Sequence, residues 1–369
     1  MGMILYTERT MADPNVSQTP CPSCGGIFAW DAAAGSLRCG SCGEVKEPPA
    51  SGVVVEHDLR DMLRAKPRGR LGAGVSEVVC GECGATVEFP EGVVATRCSF
   101  CDSPQVLAAS AREDRVQPES VIPFAVTREA ATSSFKGWLS KLWFRPRDLA
   151  SKASVTDLRG VYVPYWTFSA DVTSSWTADA GYRYDQVETT TDSNGLRHER
   201  IVQKTRWQPA RGQRHDRYDD HLVCASAGLP DAQARKAAGS FATSELVTFS
   251  ADYLLGFSAE SYAIDCPAAW TQAQEDLAGE QLSRCGHDVP GDTHRSLRAT
   301  HRFEDVTVKH ALLPIWIAAF RYQGKTYRFL VNGQSGKVAG DAPLSWPKVL
   351  LFVAVVIALA VAAYFVFKR

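Results

Sequence analysis

The C-terminal part of the chain carries a long, unbroken run of apolar residues. Residues 349 to 367 read VLLFVAVVIALAVAAYFVF and contain no charged side chain. As a helix, at about 1.5 Å per residue, this run spans roughly 28 Å, close to the hydrocarbon thickness of a bilayer. Lys348 and Lys368-Arg369 flank the run, and Trp346 and Tyr364 stand where interfacial aromatic residues belong. The pattern predicts one transmembrane helix at 349–367.

Helical spacing of apolar residues recurs at three places upstream. Residues 53–65, VVVEHDLRDMLRA, predict a short amphipathic helix, and residues 128–143 predict a second one. A third is predicted at 267–285, because Pro267 suits a first helical turn and Gly286 suits a helix end. The apolar faces are formed by Phe135, Trp138, Leu139 and Leu142 in the second helix, and by Trp270, Ala273, Leu277, Ala278 and Leu282 in the third.

Strand-forming residues dominate the rest of 121–345. Residues 161–185, VYVPYWTFSADVTSSWTADAGYRYD, are rich in aromatic and β-branched residues, and Asn194-Gly195 predicts a hairpin turn after them. Turn signals at Gln323-Gly324 and Asn332-Gly333 divide 312–340 into short strands. The motifs VPYW (163–166) and LPIW (313–316) hint at two related β units. We therefore predict an α+β fold at 121–345, with the aromatic residues from Tyr162 to Trp176 in its core.

Eight of the eleven cysteines form two clusters with the same spacing. Each cluster reads C-x2-C-x14-C-x2-C, and every cysteine of the first lies 59 residues before its counterpart, which indicates an internal duplication. Two C-x-x-C turns can offer four thiolates to a tetrahedral Zn²⁺ at about 2.3 Å, and nearby glycines suit such turns. We predict two zinc ribbons with a small hairpin in each spacer. The predicted ligands are Cys21, Cys24, Cys39, Cys42, Cys80, Cys83, Cys98 and Cys101.

Disulfides, a redox centre and an iron site are the alternatives to zinc at these cysteines. Disulfides would need an oxidising compartment, and a thioredoxin-like centre would need one C-x-x-C at a βα junction rather than mirrored pairs. Iron also accepts four thiolates, so the spacing leaves zinc and iron open. Because cysteine fills all four positions, no coordination site remains for water or substrate. The sequence thus predicts two structural ions, expected to be Zn²⁺.

These elements give a domain organisation. A first zinc ribbon is predicted at 19–45, a short helix and linker at 46–76, and a second ribbon at 77–104. A linker at 105–120 precedes the α+β domain at 121–345, and the transmembrane helix at 349–367 follows.

Charge gives little guide to a partner. Lys and Arg number 40 and Asp and Glu 41, so the net charge is −1 and no overall field attracts nucleic acid or anionic lipid. The second ribbon carries more acidic than basic residues. A basic group in the linker (Arg64, Lys66, Arg68 and Arg70) could contact a polyanion or anionic lipid.

The sequence contains no complete form of the common catalytic or nucleotide-binding motifs that follow. QGKT at 323–326 lacks the first glycine of a phosphate-binding loop, and no G-x-S-x-G, H-E-x-x-H or G-x-G-x-x-G occurs. Cys285 with His287, or His221 with Cys224, could be imagined as a nucleophile and its base, but buried small cysteines and surface histidines are commoner. We predict that the protein is not an enzyme.

Localisation follows from the apolar run and the thiols. The first residues, MGMILYTERTMADPNV, are not those of a signal peptide, and Met11 could be the true start. Flanking charges do not decide orientation, whereas metal-binding thiolates favour a reducing compartment. We expect a single-pass protein of the inner (cytoplasmic) membrane with its N-terminal bulk in the cytoplasm.

The succession of motifs also carries a family resemblance. Two all-cysteine ribbons precede I-P-F (122–124), a W-L helix, V-P-Y-W, Y-L-L-G-F (253–257), V-N-G-Q-S-G-K-V (331–338) and the apolar end. This pattern resembles a family of bacterial membrane-associated zinc-ribbon proteins, often labelled as primosomal-helicase-like or general-transcription-factor-type zinc ribbons. The chain lacks any helicase motor motif, so we do not adopt that label. The eight cysteines match the metal ligands of that family.

The resemblance implies a role. Members of that family are found beside flotillin-like (SPFH) and phage-shock-type envelope-stress proteins, and some help place such partners at the membrane. Our hypothesis is therefore a tail-anchored adaptor or scaffold that recruits a protein partner. The alternatives are a membrane-associated zinc-ribbon protein that binds nucleic acid, and an enzyme that uses Cys224 or Cys285.

Overall fold

The computed structural model shows a mixed α+β protein built mostly of strands. It describes residues 19–48, 52–64, 75–90, 98–101, 103, 106–109, 116–146, 158–191, 197–229, 231–322, 325–340 and 345–367. The strands are β1 (Thr19–Pro20), β2 (Ile27–Asp31), β3 (Ser36–Cys39), β4 (Val45–Lys46), β5 (His57–Asp58), β6 (Val75–Cys80), β7 (Thr86–Pro90), β8 (Val106–Ala109), β9 (Ser120–Val121), β10 (Arg159–Thr191), β11 (Arg197–Cys224), β12 (Val247–Thr248), β13 (Ser258–Glu260), β14 (Thr293–Tyr322), β15 (Lys325–Asn332) and β16 (Val338–Gly340).

Four of the helices that the structure describes overlap the predicted ones, with informative differences at their ends, whereas the helix at Asp231–Ala238 was not predicted. They are α1 (Leu59–Arg64), α2 (Arg128–Lys141), α3 (Asp231–Ala238), α4 (Cys266–Asp288) and α5 (Trp346–Phe367), with short 3₁₀ turns at Thr243–Glu245 and Ala251–Leu254. Gly286, predicted as a stop signal, lies inside α4. A Cβ there would stand 3.2 Å from the His294 ring, so this glycine allows α4 to approach β14 closely.

Three very long strands form the centre of a twelve-stranded sheet. β10 pairs with β11 on one side and with β14 on the other, both antiparallel. The similar motifs VPYW and LPIW lie on these two neighbouring strands and meet at one pair, Val163 with Leu313. The aromatic residues between Tyr162 and Trp176 are buried, which confirms their predicted place in the core.

One face of these three strands is covered by α4. Asp265 caps the helix, because its Oδ1 accepts a hydrogen bond from the Ala268 N–H at 3.0 Å. The buried positions recur every four residues and face the sheet; they are Ala269, Ala273, Leu277, Gln281 and Cys285. Gln281 is polar and buried, and its Oε1 accepts from the Tyr218 hydroxyl at 2.7 Å. The opposite face of β10 is open at Ser175 and Thr177, whereas nearer the start of the strand the same face is buried, as at Val163 and Tyr165.

Segments predicted as linkers contribute strands to this sheet. The helix predicted at 53–65 is limited to α1, because His57 and Asp58 pair with β14 as β5. β8 lies within the predicted linker at 105–120 and pairs with β6, and β9 pairs in parallel with β14. The predicted turns at Asn194-Gly195 and Gln323-Gly324 and the basic stretch 66–70 lie outside the described residues.

The C-terminal helix stands apart from the core. α5 begins at Trp346, three residues before the predicted start, because the Ser345 carbonyl already accepts from the N–H groups of Lys348 and Val349. Its apolar residues are exposed, and a 20-residue span from Trp346 to Phe365 is long and apolar enough to cross a membrane. The coarse prediction of a membrane-spanning helix is therefore supported by length and composition.

Candidate metal centres

The two cysteine clusters share one backbone pattern at their turns. In the first, the Gly25 N–H donates to the Cys21 carbonyl at 2.8 Å, and Gly43 donates to Cys39 at 3.0 Å. The second repeats the bond, from Gly84 to Cys80 at 2.9 Å. All three glycines have a φ between +72° and +77°, a conformation that glycine adopts without steric cost. The sequence therefore folds each turn so that both of its cysteines point inward.

The sulfur atoms are spaced as a tetrahedral metal site requires. Within each cluster all four Sγ atoms lie within 4.8 Å of one another. Cys21–Cys42 and Cys24–Cys39 are 3.7 and 3.6 Å apart, and Cys80–Cys101 and Cys83–Cys98 are both 3.6 Å apart. Four sulfurs at about 2.3 Å from one ion would be about 3.8 Å apart, whereas a disulfide needs about 2.0 Å. The donor set therefore fits an ion that prefers four soft thiolates.

One thiol in each cluster has a lowered pKa. The N–H groups of Cys42 and Ser41 lower the pKa of the Cys39 thiol to about 6. A hydrogen bond with Cys83 and the Phe100 N–H lower the pKa of Cys98 to about 5, although burial opposes this. Burial and hydrogen bonds with neighbouring thiols raise the pKa of five others, which are Cys21, Cys24, Cys42, Cys83 and Cys101. Each cluster therefore offers one thiolate readily, and a bound cation would favour loss of the remaining protons.

The first cluster belongs to a small sheet of its own. β1 to β4 form a separate four-stranded antiparallel sheet, and Phe28, Trp30 and Leu37 are buried in it. Trp30 connects this sheet to the rest of the protein, since its Nε1–H donates to the Phe124 carbonyl at 2.8 Å and its N–H donates to Leu255 at 2.9 Å. The Cys24 and Cys42 side chains remain exposed.

The second cluster is continuous with the large sheet. β7 pairs with β13, which in turn pairs with β10, so the turn of Cys80 and Cys83 is joined to the central strands. The Arg159 Nη1 donates to the Cys98 carbonyl at 3.3 Å. The Cys80 and Cys98 side chains pack in the same hydrophobic cluster as Val161 and Ile317. The two clusters thus share a local design but differ in their attachment.

The other cysteine–histidine pairs of the sequence are not brought together as reactive groups. Cys285 is fully buried against the sheet, whereas His287 is exposed. Cys224 packs in one hydrophobic cluster, while His221 faces α4, with its Nε2 3.6 Å from an Asp276 carboxylate oxygen. Residues three apart on a strand point to opposite faces.

An exposed arginine surface was missed by sequence reasoning. On the open face of the central sheet, Thr177 pairs with Arg211 of β11 and with Arg298 of β14. Both arginines are exposed, and neither forms an ion pair with any residue that the structure describes. Alternation along the two strands could have indicated this surface, because every second residue is polar or basic. These residues are Arg211, Gln213, His215 and Arg217 on β11, and Arg298, Thr300 and Arg302 on β14.

The chain is similar over most of its length to one bacterial protein of the curated set. It is 27% identical over 336 residues to the uncharacterized protein YdjG of Bacillus subtilis (strain 168), and the alignment covers 89% of this chain and 91% of that protein. No family model and no solved structure matches the chain. Because the alignment far exceeds residues 21–101, the likeness extends well beyond the two cysteine clusters.

Proposed function

We propose that this protein is a tail-anchored membrane adaptor. Its two tandem zinc ribbons hold structural Zn²⁺ ions, and its larger strand-rich α+β domain recruits a protein partner to the cytoplasmic membrane. The partner is proposed to be of the SPFH/flotillin-like or phage-shock type, as the family resemblance implies. The N-terminal bulk lies in the cytoplasm, where the thiolates stay reduced.

The observation that carries this proposal is the combination of closed metal sites with an unburied apolar helix. Four cysteines surround each candidate site, so a bound ion would have no free position for a substrate. The helix α5 buries none of its apolar window in the protein, which supports its burial in lipid. Such a chain holds a folded unit at a membrane surface, and its activity is proposed to be binding rather than catalysis.

Affinity purification from detergent-solubilised membranes tests the adaptor role. We expect the full chain to recover a stable protein partner. A variant in which α5 is replaced by an unrelated single-pass helix should recover the same partner, because the anchor only sets location. Recovery of no stable partner by the full chain, with both metal ions retained, would contradict the proposal.

Nucleic-acid binding is a second candidate, favoured by the exposed arginines of the sheet. Arg211 and Arg298 flank Thr177 without ion pairs to described residues, and a polyanion could bridge them. This candidate predicts binding of single-stranded DNA that weakens with salt. Binding should weaken further in a double R211Q/R298Q variant and when Arg64, Lys66, Arg68 and Arg70 are neutralised. Fluorescence anisotropy that shows no salt-dependent binding would exclude it.

A further inference from the structure

A pocket lies where the membrane helix meets the large domain. It has a volume of about 610 Å³ and is formed by the segment that ends α2 and by the first turns of α5. Its lining residues are Ser140, Leu142, Trp143, Arg145, Pro146, Lys348, Leu351, Phe352 and Val355. Among the residues that the structure describes, the lining includes two cations, Arg145 and Lys348, and no carboxylate, beside apolar side chains of α5.

Polar contacts fix the base of α5 against this segment. The Lys348 Nζ donates to the carbonyls of Trp143 and Arg145, at 3.2 and 2.8 Å. The Ser345 N–H donates to the Phe144 carbonyl at 2.6 Å, and the Phe144 and Phe352 rings are 5.4 Å apart in an edge-to-face arrangement. The pocket is therefore built by direct contacts between the two segments.

Arg145 contributes a cationic donor that no residue described in the structure satisfies. Its Nη1 is buried from solvent and has no hydrogen-bond partner among the residues that the structure describes. A buried donor without a partner is costly, and a guanidinium is suited to bind a phosphate with paired N–H groups. Lys348 adds a second positive charge beside it. The cationic side of the pocket is thus complementary to a phosphate group.

The apolar side of the pocket lies deeper along the membrane helix. Leu351, Phe352 and Val355 follow Lys348 by three to seven residues, which places them about 5–10 Å further along the helix axis. Trp143 is 79% exposed beside them, as expected for an aromatic residue at a membrane interface. Along the axis of α5 the cation comes first and the apolar wall follows, in the same order as the headgroup and the acyl chain of a phospholipid.

We propose that this pocket binds one anionic phospholipid of the leaflet that faces the large domain. The lipid phosphate contacts Arg145 and Lys348, and an acyl chain lies along Leu351, Phe352 and Val355. This inference rests on the membrane anchoring by α5 that the proposed function assumes. The bound lipid would hold the large domain at a fixed position relative to the bilayer.

Lipid retention by the full-length protein tests this site. The protein is reconstituted in nanodiscs of phosphatidylcholine with phosphatidylglycerol, extracted in mild detergent and measured by native mass spectrometry. We expect the wild type to retain one phosphatidylglycerol. Arg145→Gln should lower retention about five- to tenfold, since one cation near a membrane surface contributes about 1 kcal/mol and a charged hydrogen bond somewhat more. Arg145→Lys should restore part of it.

Two further variants separate the charge from the apolar wall. Val355→Trp fills the apolar side without changing charge and should also lower phosphatidylglycerol retention. Lys141→Gln is the matched control, because Lys141 is an exposed cation at the end of α2 outside the pocket lining, and it should behave as the wild type.

The outcomes distinguish this inference from the proposed function. A chain that does not enter nanodiscs would contradict membrane anchoring itself. Two results would overturn the lipid site and leave the anchor intact. The inserted wild type could retain both lipids equally, or R145Q and K141Q could retain phosphatidylglycerol equally.

Discussion

Lys309 shows how single residues connect distant parts of the chain. Its side chain is 6% exposed, and its Nζ lies 2.7 Å from Glu56 and 2.6 Å from Asp220. Burial would raise the pKa of Glu56, but hydrogen bonds from Lys309 and Thr307 outweigh it and lower that pKa. Glu56 precedes Lys309 by 253 residues, so spacing along the sequence could not reveal this contact.

Removing this lysine should strongly destabilise the fold. Lys309→Ala leaves Asp220, whose side chain is 18% accessible, and the part-exposed Glu56 without their cation, which costs about 2–3 kcal/mol once solvent screening at Glu56 is counted. The free energy of unfolding, measured by urea titration in detergent, should fall by that amount. Lys204→Ala is the control, because Lys204 and Glu188 form an exposed pair in which each side chain is at least 40% accessible. Its effect should stay within about 1 kcal/mol, and an equally small effect at Lys309 would contradict our interpretation.

Glu260 predicts a dependence of stability on pH. The carboxyl is fully buried, and burial raises its pKa from 4.5 to about 8, while its Oε1 accepts from the Gly228 N–H at 3.3 Å. The native state therefore keeps this proton up to about pH 8, whereas the unfolded chain releases it near 4.5. Between these values the folded state holds more protons, so stability falls as pH rises, by about 1.4 kcal/mol per pH unit.

The corresponding experiment compares Glu260→Gln with the wild type. From about pH 6 to about pH 8, the free energy of unfolding of metal-loaded wild type should fall by up to about 2.7 kcal/mol more than that of the variant. Glu129→Gln, which removes an exposed carboxyl at the start of α2, should follow the wild type. Equal pH profiles for wild type and E260Q would show that Glu260 is ionised in the native state.

At the scale of secondary structure, the sequence pattern correctly predicted the elements whose formation depends on residues that are neighbours in the chain. The helices α2 and α4 have regular apolar faces and capping residues, Thr127 and Asp265, and their positions were predicted closely. The C-x-x-C turns were predictable because their glycines and cysteines are neighbours in the chain. The short strands β5 and β8 were not predictable. β5 has two residues and β8 has four, and each pairs with a strand that is remote in the sequence.

The two cysteine clusters are attached differently to the rest of the protein, so loss of a metal ligand should have different effects in each. Cys24→Ser and Cys83→Ser should each release one of two metal ions, as measured by elemental analysis. Cys24→Ser should unfold only the separate sheet β1–β4. Cys83→Ser should also weaken β7, and through it β13, because these strands are paired. Hydrogen exchange at 258–260 should therefore increase in C83S and stay unchanged in C24S.

Either of two results would contradict this prediction. Equal protection of 258–260 in both variants would show that the second cluster folds independently of the large sheet. Wild-type protein with fewer than about two bound ions would contradict the presence of two metal sites.

At the scale of the whole molecule, the structure separates a folded body from an exposed apolar helix, α5. Trp30 and its neighbours dock the first cluster on the core, the second cluster continues the central sheet, and α4 covers one sheet face. The contacts of α5 with the body that we describe all lie near its first turns, through Ser345, Lys348 and Phe352. The fold of the body therefore should not depend on the membrane helix.

A chain that lacks 346–369 tests this separation. No residue of the apolar window of α5 is buried, and its contacts with the body are few and part-exposed, so deletion should change the free energy of unfolding by no more than about 1 kcal/mol. Both metal ions should remain, and the protein should move from the membrane pellet to the supernatant on ultracentrifugation of lysates. The control carries an unrelated single-pass helix in place of α5 and should stay in the pellet. A truncated chain that still sediments with membranes would show that another segment anchors it, whereas one that no longer binds metal would show that α5 supports the fold.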